Sequence, residues 1–173
     1  MSTSFTVTNH KAFGWQVSQC RLPKGNKYTV NVVADIPRSQ AQTITLFTKG
    51  RVVGANKDGV TPLLVPVRTA GYTNLGLPLT PAGSYEFEAY EEAEWWCIDY
   101  VHNRKQLPDA EVFSLAVGST TTLSVGTKLL LCVGSVLVNG VHHNAPKAFE
   151  VTSEDLVLTA EEQCYGFTFT KER

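Results

Sequence analysis

Apolar and polar residues alternate with a period of two along most of the chain, in short runs broken by turn residues. That is the pattern of strands buried on one face. Phe5–Thr8 alternates, and Phe13–Val17 follows a short polar stretch. Lys24–Lys27 turns into Tyr28–Val33, Pro37–Gln40 separates it from Gln42–Phe47, and Gly50–Gly54 leads to a turn over Asn56–Gly59. Thr61–Arg68 is extended but carries proline, which lacks a ladder donor and so suits an edge. Tyr72–Leu79 is irregular and Thr80–Gly83 forms another turn. Tyr85–Ala89 then sets Tyr85, Phe87 and Ala89 against Glu86 and Glu88 on the other face. Further runs follow at Glu111–Val117, Thr120–Leu123, Thr127–Val133, Ser135–Asn139, Ala148–Val151, Asp155–Leu158 and Cys164–Thr170. No stretch sustains a 3.6-residue period. One short helical turn could fit in Glu154–Gln163, against which Val157 and Thr159 argue. The expected fold class is all-β, a jelly roll or β-sandwich.

The run Ala93–Val101 departs from simple alternation. One face carries Ala93, Trp95, Cys97 and Asp99; the other carries Glu94, Trp96, Ile98 and Tyr100. A strand apolar on both faces is central in its fold or covered by another chain. Trp95, Trp96, Ile98 and Tyr100 are therefore the candidate interface residues, with sugar stacking on a tryptophan as the competing use and burial by the chain's own second half as the plain one.

A weak internal repeat accompanies the strands. Leu46–Val53 aligns without gaps on Leu130–Leu137, and Ala89–Glu92 before one aromatic run resembles Ala160–Glu162 before another. The expected organisation is an N-terminal β half over residues 1–101, a linker over 102–110 and a C-terminal β half over 111–173, with the longer insertion, Asn56–Pro78, in the first half.

Composition narrows the classes. Apolar residues make up 43% and charged residues 18%, which excludes an intrinsically disordered chain. The 20 valines and 19 threonines favour strands over helices. A net charge of −1 and no basic stripe argue against nucleic acid as a partner. The longest aliphatic run, Leu129–Val133, is far too short for a membrane-spanning helix, and the N-terminal residues lack a signal-peptide pattern. The expected site of synthesis is the cytoplasm. Cys20, Cys97, Cys132 and Cys164 are widely spaced and contain no C-x-x-C, so they read as reduced, buried thiols.

The run Val112–Gly118, followed by Thr127–Gly134, Val136–Gly140 and Val151–Ala160, resembles the cupin-like jelly roll in its order of strands and glycines. That family's metal site needs two histidines flanking one residue and a glutamate near Thr127–Leu131, and this sequence has none of them there. Small jelly rolls rich in Thr and Val, without catalytic ligands, also resemble decoration, adaptor or fibre-base proteins of bacteriophage particles. This second resemblance implies a role as a virion structural protein and assembly into the particle.

No residue pattern points to catalysis. His142 and His143 would lie on opposite faces of a strand and cannot share one ion there, so they read as a solvated loop. His10 and His102 read as surface or capping residues. Glu86 and Glu88 share a face about 7 Å apart, within the roughly 6.5–9.5 Å of inverting glycosidases. With Glu91, Glu92 and Glu94 beside them, they read as a solvated acidic face. There is no nucleophile elbow and no phosphate loop. The sequence thus leads to a non-enzymatic interaction protein of a symmetric assembly, with no catalytic, cofactor-binding or metal residue and no cofactor. Its expected partners are copies of itself and other virion proteins, with carbohydrate as a further candidate. The alternatives are a cupin-type isomerase or lyase and a carbohydrate-binding module.

Overall fold

The computed structural model describes residues 5–32, 43–56, 68–69, 73–74, 83–99, 103 and 110–169. The expected separator at 37–40, the turn and extended run at 57–67, the irregular stretch at 75–80, Tyr100, His102 and linker residues 104–109 lie outside them. The chain forms two units, Met1–Leu107 and Pro108–Arg173.

The first unit contains β1 (Thr6–Ala12), β2 (Trp15–Leu22), β3 (Lys27–Val32), β4 (Thr43–Lys49) and β5 (Arg51–Asn56). It continues with β6 (Arg68–Thr69), β7 (Thr73–Asn74), β8 (Gly83–Ala89) and β9 (Ala93–Asp99). The second unit contains β10 (Ala110–Leu115), β11 (Thr120–Leu123), β12 (Lys128–Val133) and β13 (Ser135–Val138). β14 (Val141–Asn144), β15 (Lys147–Glu150), β16 (Leu156–Ala160) and β17 (Cys164–Phe169) complete it.

The second unit has one four-stranded sheet in the order β10-β17-β12-β15 and another in the order β11-β16-β13-β14. Numbered from its own first strand, these orders are 1-8-3-6 and 2-7-4-5, the strand plan of a jelly roll. The first unit repeats it strand for strand, with β2-β9-β4-β7 in one sheet and β3-β8-β5-β6 in the other, and adds β1 outside β2. Every ladder is antiparallel.

The correspondence extends to backbone detail. The Gly25 amide donates to the Ala89 carbonyl as Gly118 does to Ala160, and Tyr90 donates to Arg51 as Glu161 does to Ser135. The ladder slips register between Phe47 and Lys49 in β4 and between Leu131 and Val133 in β12, positions that the sequence repeat superposes. Between these strands and β5 or β13 the chain turns at Gly50 or Gly134, both at positive φ. A side chain at Gly50 would run into the Glu92 carbonyl, and one at Gly134 would lie 2.6 Å from the Gln163 carbonyl oxygen and 2.7 Å from Cys164 Sγ. Only glycine permits both the turn and the close approach.

One expectation changes. Phe13 was expected in a strand, but Phe13 and Gly14 form a two-residue hairpin loop with φ of 53° and 81°, which joins β1 to β2. The expected run Asp155–Leu158 is met by strand β16, in which Leu158 and Ala160 alternate into the core and leave no helical face.

The second unit's core is Phe113, Leu115, Leu123, Leu129, Leu131, Val136, Val138, Phe149, Val151, Leu158, Ala160 and Cys164. The first unit packs Leu22, Phe47, Val52, Ala89 and Ala93, with Phe5 and Trp95 against them. Trp95 stacks on Phe5 and Phe47 at centroid distances of 5.7 and 5.3 Å.

Candidate functional site

A cupin-type metal would need ligands pointing between the two sheets. On β12 the positions that point there are Leu129 and Leu131, both fully buried and apolar. The core packed between the sheets of this unit is apolar apart from the Cys164 thiol, and His143 opposite Val136 and Thr168 opposite Leu129 are polar residues on the same sides of their sheets. Among the described residues no group of three or more His, Cys, Asp or Glu could hold a metal ion. The residues present do not fit that ion.

The Cys164 thiol lies 3.2 Å from the Glu162 carbonyl oxygen and 3.5 Å from that of Ser135. Burial raises it above the ordinary thiol value of 9.0; the hydrogen bond to the Ser135 backbone opposes the shift and the Glu162 charge reinforces it. A neutral buried thiol beside two carbonyls is a packing element, not a nucleophile. None of the four cysteines forms a disulfide.

Polar groups converge at one end of the second unit. A recess of about 440 Å³ is bordered by Glu111 from β10, Thr122 and Leu123 from β11, the turn Ser124–Thr127, and Thr168 and Phe169 from β17. The turn closes with the Thr127 amide donating to the Ser124 carbonyl at 3.0 Å, and it is tied down where the Gly126 amide donates to Val151 at 2.8 Å. Asp155 accepts from the Val125 amide at 3.1 Å. Leu123 and Phe169 are buried and form the floor, while Glu111, Thr122 and Ser124 are exposed at the rim. Among the described residues the recess offers four hydroxyls, one carboxylate and no cation.

A second polar cluster lies on the five-stranded sheet of the first unit. Glu94 is 9% exposed and accepts from Gln19 Nε2 at 3.1 Å, Arg21 Nε at 3.0 Å and Trp96 Nε1 at 3.3 Å. His10 Nε2 lies 3.0 Å from Gln19 Oε1, and its ring stacks on Trp96 at 4.7 Å. The carboxylate is thus saturated by its own neighbours, an arrangement that holds strands together. Glu94 does not belong to a solvated acidic face, and His10 is half-buried instead of a surface cap.

The candidate interface residues fall as follows. Trp96 and Ile98 are fully buried in the single chain, so neither has exposed atoms to offer a partner. Trp95 is half-buried in the first unit's core, and Tyr100 lies outside the described residues. β9 is central, between β2 and β4, which accounts for its apolar faces. His142 and His143 form part of strand β14 and not a loop. They do point apart: His142 Nδ1 lies 2.6 Å from Glu161 Oε1, and His143 meets Phe149 edge-on at 5.4 Å.

Sequence reasoning missed both polar clusters. Glu94 and Gln19 are 75 residues apart, and the recess joins β10, β11 and β17. The one local signal was the turn Ser124-Val125-Gly126-Thr127 between two strands.

Two jelly rolls of one plan in a single chain define the fold class as a cupin-like double jelly roll. Among solved structures, the chain is similar to HutD from Pseudomonas fluorescens SBW25, with a TM-score of 0.53 and 11% identity over 96% of this chain and 86% of that one. It is also similar to AerE from Microcystis aeruginosa, with a TM-score of 0.50 and 5% identity over 99% and 95% of the two chains. A cupin 2 conserved barrel domain protein from Leptotrichia buccalis aligns with a TM-score of 0.46 and 9% identity over 99% and 92%. At these identities the likeness concerns the fold alone. No protein-family model matches the chain, and no curated protein matches it. None of the three names describes a virion component, so the virion setting gains no support from them. Among the described residues no helix is long and apolar enough to cross a membrane.

Proposed function

We propose that the chain is a metal-free, cupin-like binding protein whose second jelly roll takes a small neutral polyol, of the mono- or disaccharide class, in the recess beside the turn Ser124–Thr127. The observation that carries this reading is the recess itself, about 440 Å³ with Thr122, Ser124, Thr127 and Thr168 hydroxyls around an apolar floor. That volume falls in the roughly 300–1,000 Å³ typical of small-molecule sites. Hydroxyl side chains both donate and accept, as sugar hydroxyls do, and the Glu111 carboxylate accepts two hydrogen bonds at once. With no cation among the described lining residues, an anionic ligand would meet Glu111 unpaired by them. An isomerase or lyase needs an acid and a base facing the ligand, whereas Glu111 is the only titratable side chain among the described residues of the recess. Binding without turnover is therefore the reading.

Thermal unfolding of the full chain with a panel of neutral sugars and sugar acids tests it. A neutral sugar at a hundredfold excess over its Kd stabilises by about 2.7 kcal/mol, and the double variant Thr122→Val, Ser124→Ala loses the response. A panel without any stabilising neutral sugar, or stabilisation that survives in the double variant, would contradict the proposal.

A further inference from the structure

The first unit has one strand beyond the jelly-roll plan. β1 lies outside β2 and has no counterpart among the described residues of the second unit. The direction of its free hydrogen-bonding groups follows from its neighbour. The Gln16 amide donates to Asn103 Oδ1 at 2.8 Å, and Asn103 Nδ2 donates to the Gln16 carbonyl at 3.2 Å. Gln16 therefore turns its backbone away from β1. Lys11 stands opposite Gln16, so Lys11 turns its own backbone groups away from β2, and by alternation Asn9 and Val7 do the same.

The result is an open edge of seven residues. Thr6, Val7, Thr8 and Asn9 are exposed, Val7 at 49%. Within β1 itself the usual protections are missing, because the strand has no proline and no bulge and bears a single charge, at Lys11.

We infer that β1 pairs antiparallel with β1 of a second copy, making one continuous sheet through a two-fold axis at Asn9. This register pairs all seven residues, keeps both copies' sheet faces on the same sides, and sets Val7 opposite Lys11 and Thr8 opposite His10. The only charged side chain then lies over an aliphatic neighbour instead of its own copy, so charge favours self-pairing in this register. The outward amides and carbonyls of Val7, Asn9 and Lys11 supply the ladder.

Sedimentation velocity of the full chain and of Asn9→Pro tests the pairing. Proline removes an outward N–H and leaves the β1–β2 ladder donors in place. The expected result is a wild-type mass of twice 19.0 kDa and an Asn9→Pro mass of 19.0 kDa, with unchanged circular dichroism. A monomeric wild-type chain overturns the inference and leaves this edge to an extended peptide of another protein; a dimer that survives in Asn9→Pro overturns it equally. Should Asn9→Pro fail to fold, Asn9→Cys decides. The paired Cα atoms would lie about 5.5 Å apart, within disulfide range, so mild oxidation links Asn9→Cys chains covalently but not Thr8→Cys chains. Absence of that link overturns the pairing.

Discussion

Glu94 shows how a single buried carboxylate is kept without becoming a catalytic group. Three donors saturate it, and two of them, Gln19 and Trp96, would lose their acceptor in Glu94→Leu. With the Trp96 N–H fully buried, that variant is expected to lose about 2–4 kcal/mol of stability. Arg21→Ala is expected to lose about 0.5–1 kcal/mol, because its side chain is 57% exposed and water replaces it. Urea midpoints of the two variants check the ranking, and equal losses would refute it. The Cys164 thiol supports a pH prediction. The fold keeps its proton above the ordinary value of 9.0, so this contribution is fully present below that value and declines as pH rises through the folded thiol's higher one. The stability of Cys164→Ala is expected to fall less steeply above about pH 9 than that of the wild-type chain. Alternation correctly placed Trp95 and Trp96 on opposite faces, but local pattern cannot say what covers a face. Trp96 was legible as large and apolar; its burial under His10 was not.

At the scale of elements, the two sheet-switching corners at Gly50 and Gly134 are tightly constrained. Gly134→Ala must strain a positive φ and push against Gln163 and Cys164, and a loss of about 2–4 kcal/mol is expected. Gly118 has φ of +80° with open space around it, so Gly118→Ala is expected to lose only about 1 kcal/mol. Chemical denaturation distinguishes the two. The repeat that flags these corners was legible because Leu46–Val53 and Leu130–Leu137 both contain a strand, a glycine and a strand without gaps. Phe13 was misplaced because an aromatic residue beside Trp15 looks like a strand, whereas a left-handed turn residue is normally Asn, Asp or Gly. β14 escaped detection because its edge position leaves Val141, His142 and Asn144 exposed, without the alternation that burial imposes.

For the molecule as a whole, each jelly roll packs an apolar core between its sheets, and the proposed binding site lies at strand ends and a turn. The interior positions on β12 that a metal would require are leucines, and the recess draws its polar groups from strand ends and the Ser124–Thr127 turn. Such a site is hard to read in sequence, since its threonines and serine look like any others in a chain with 19 threonines. Its chemistry depends on three strand ends meeting, which the topology decides. Amide chemical shifts of the uniformly labelled full chain, followed while a stabilising neutral sugar is added, test the central claim most directly. Saturable changes confined to Glu111, Thr122–Thr127, Thr168 and Phe169 are the predicted result. Changes centred on Trp95, or none at all, would contradict it.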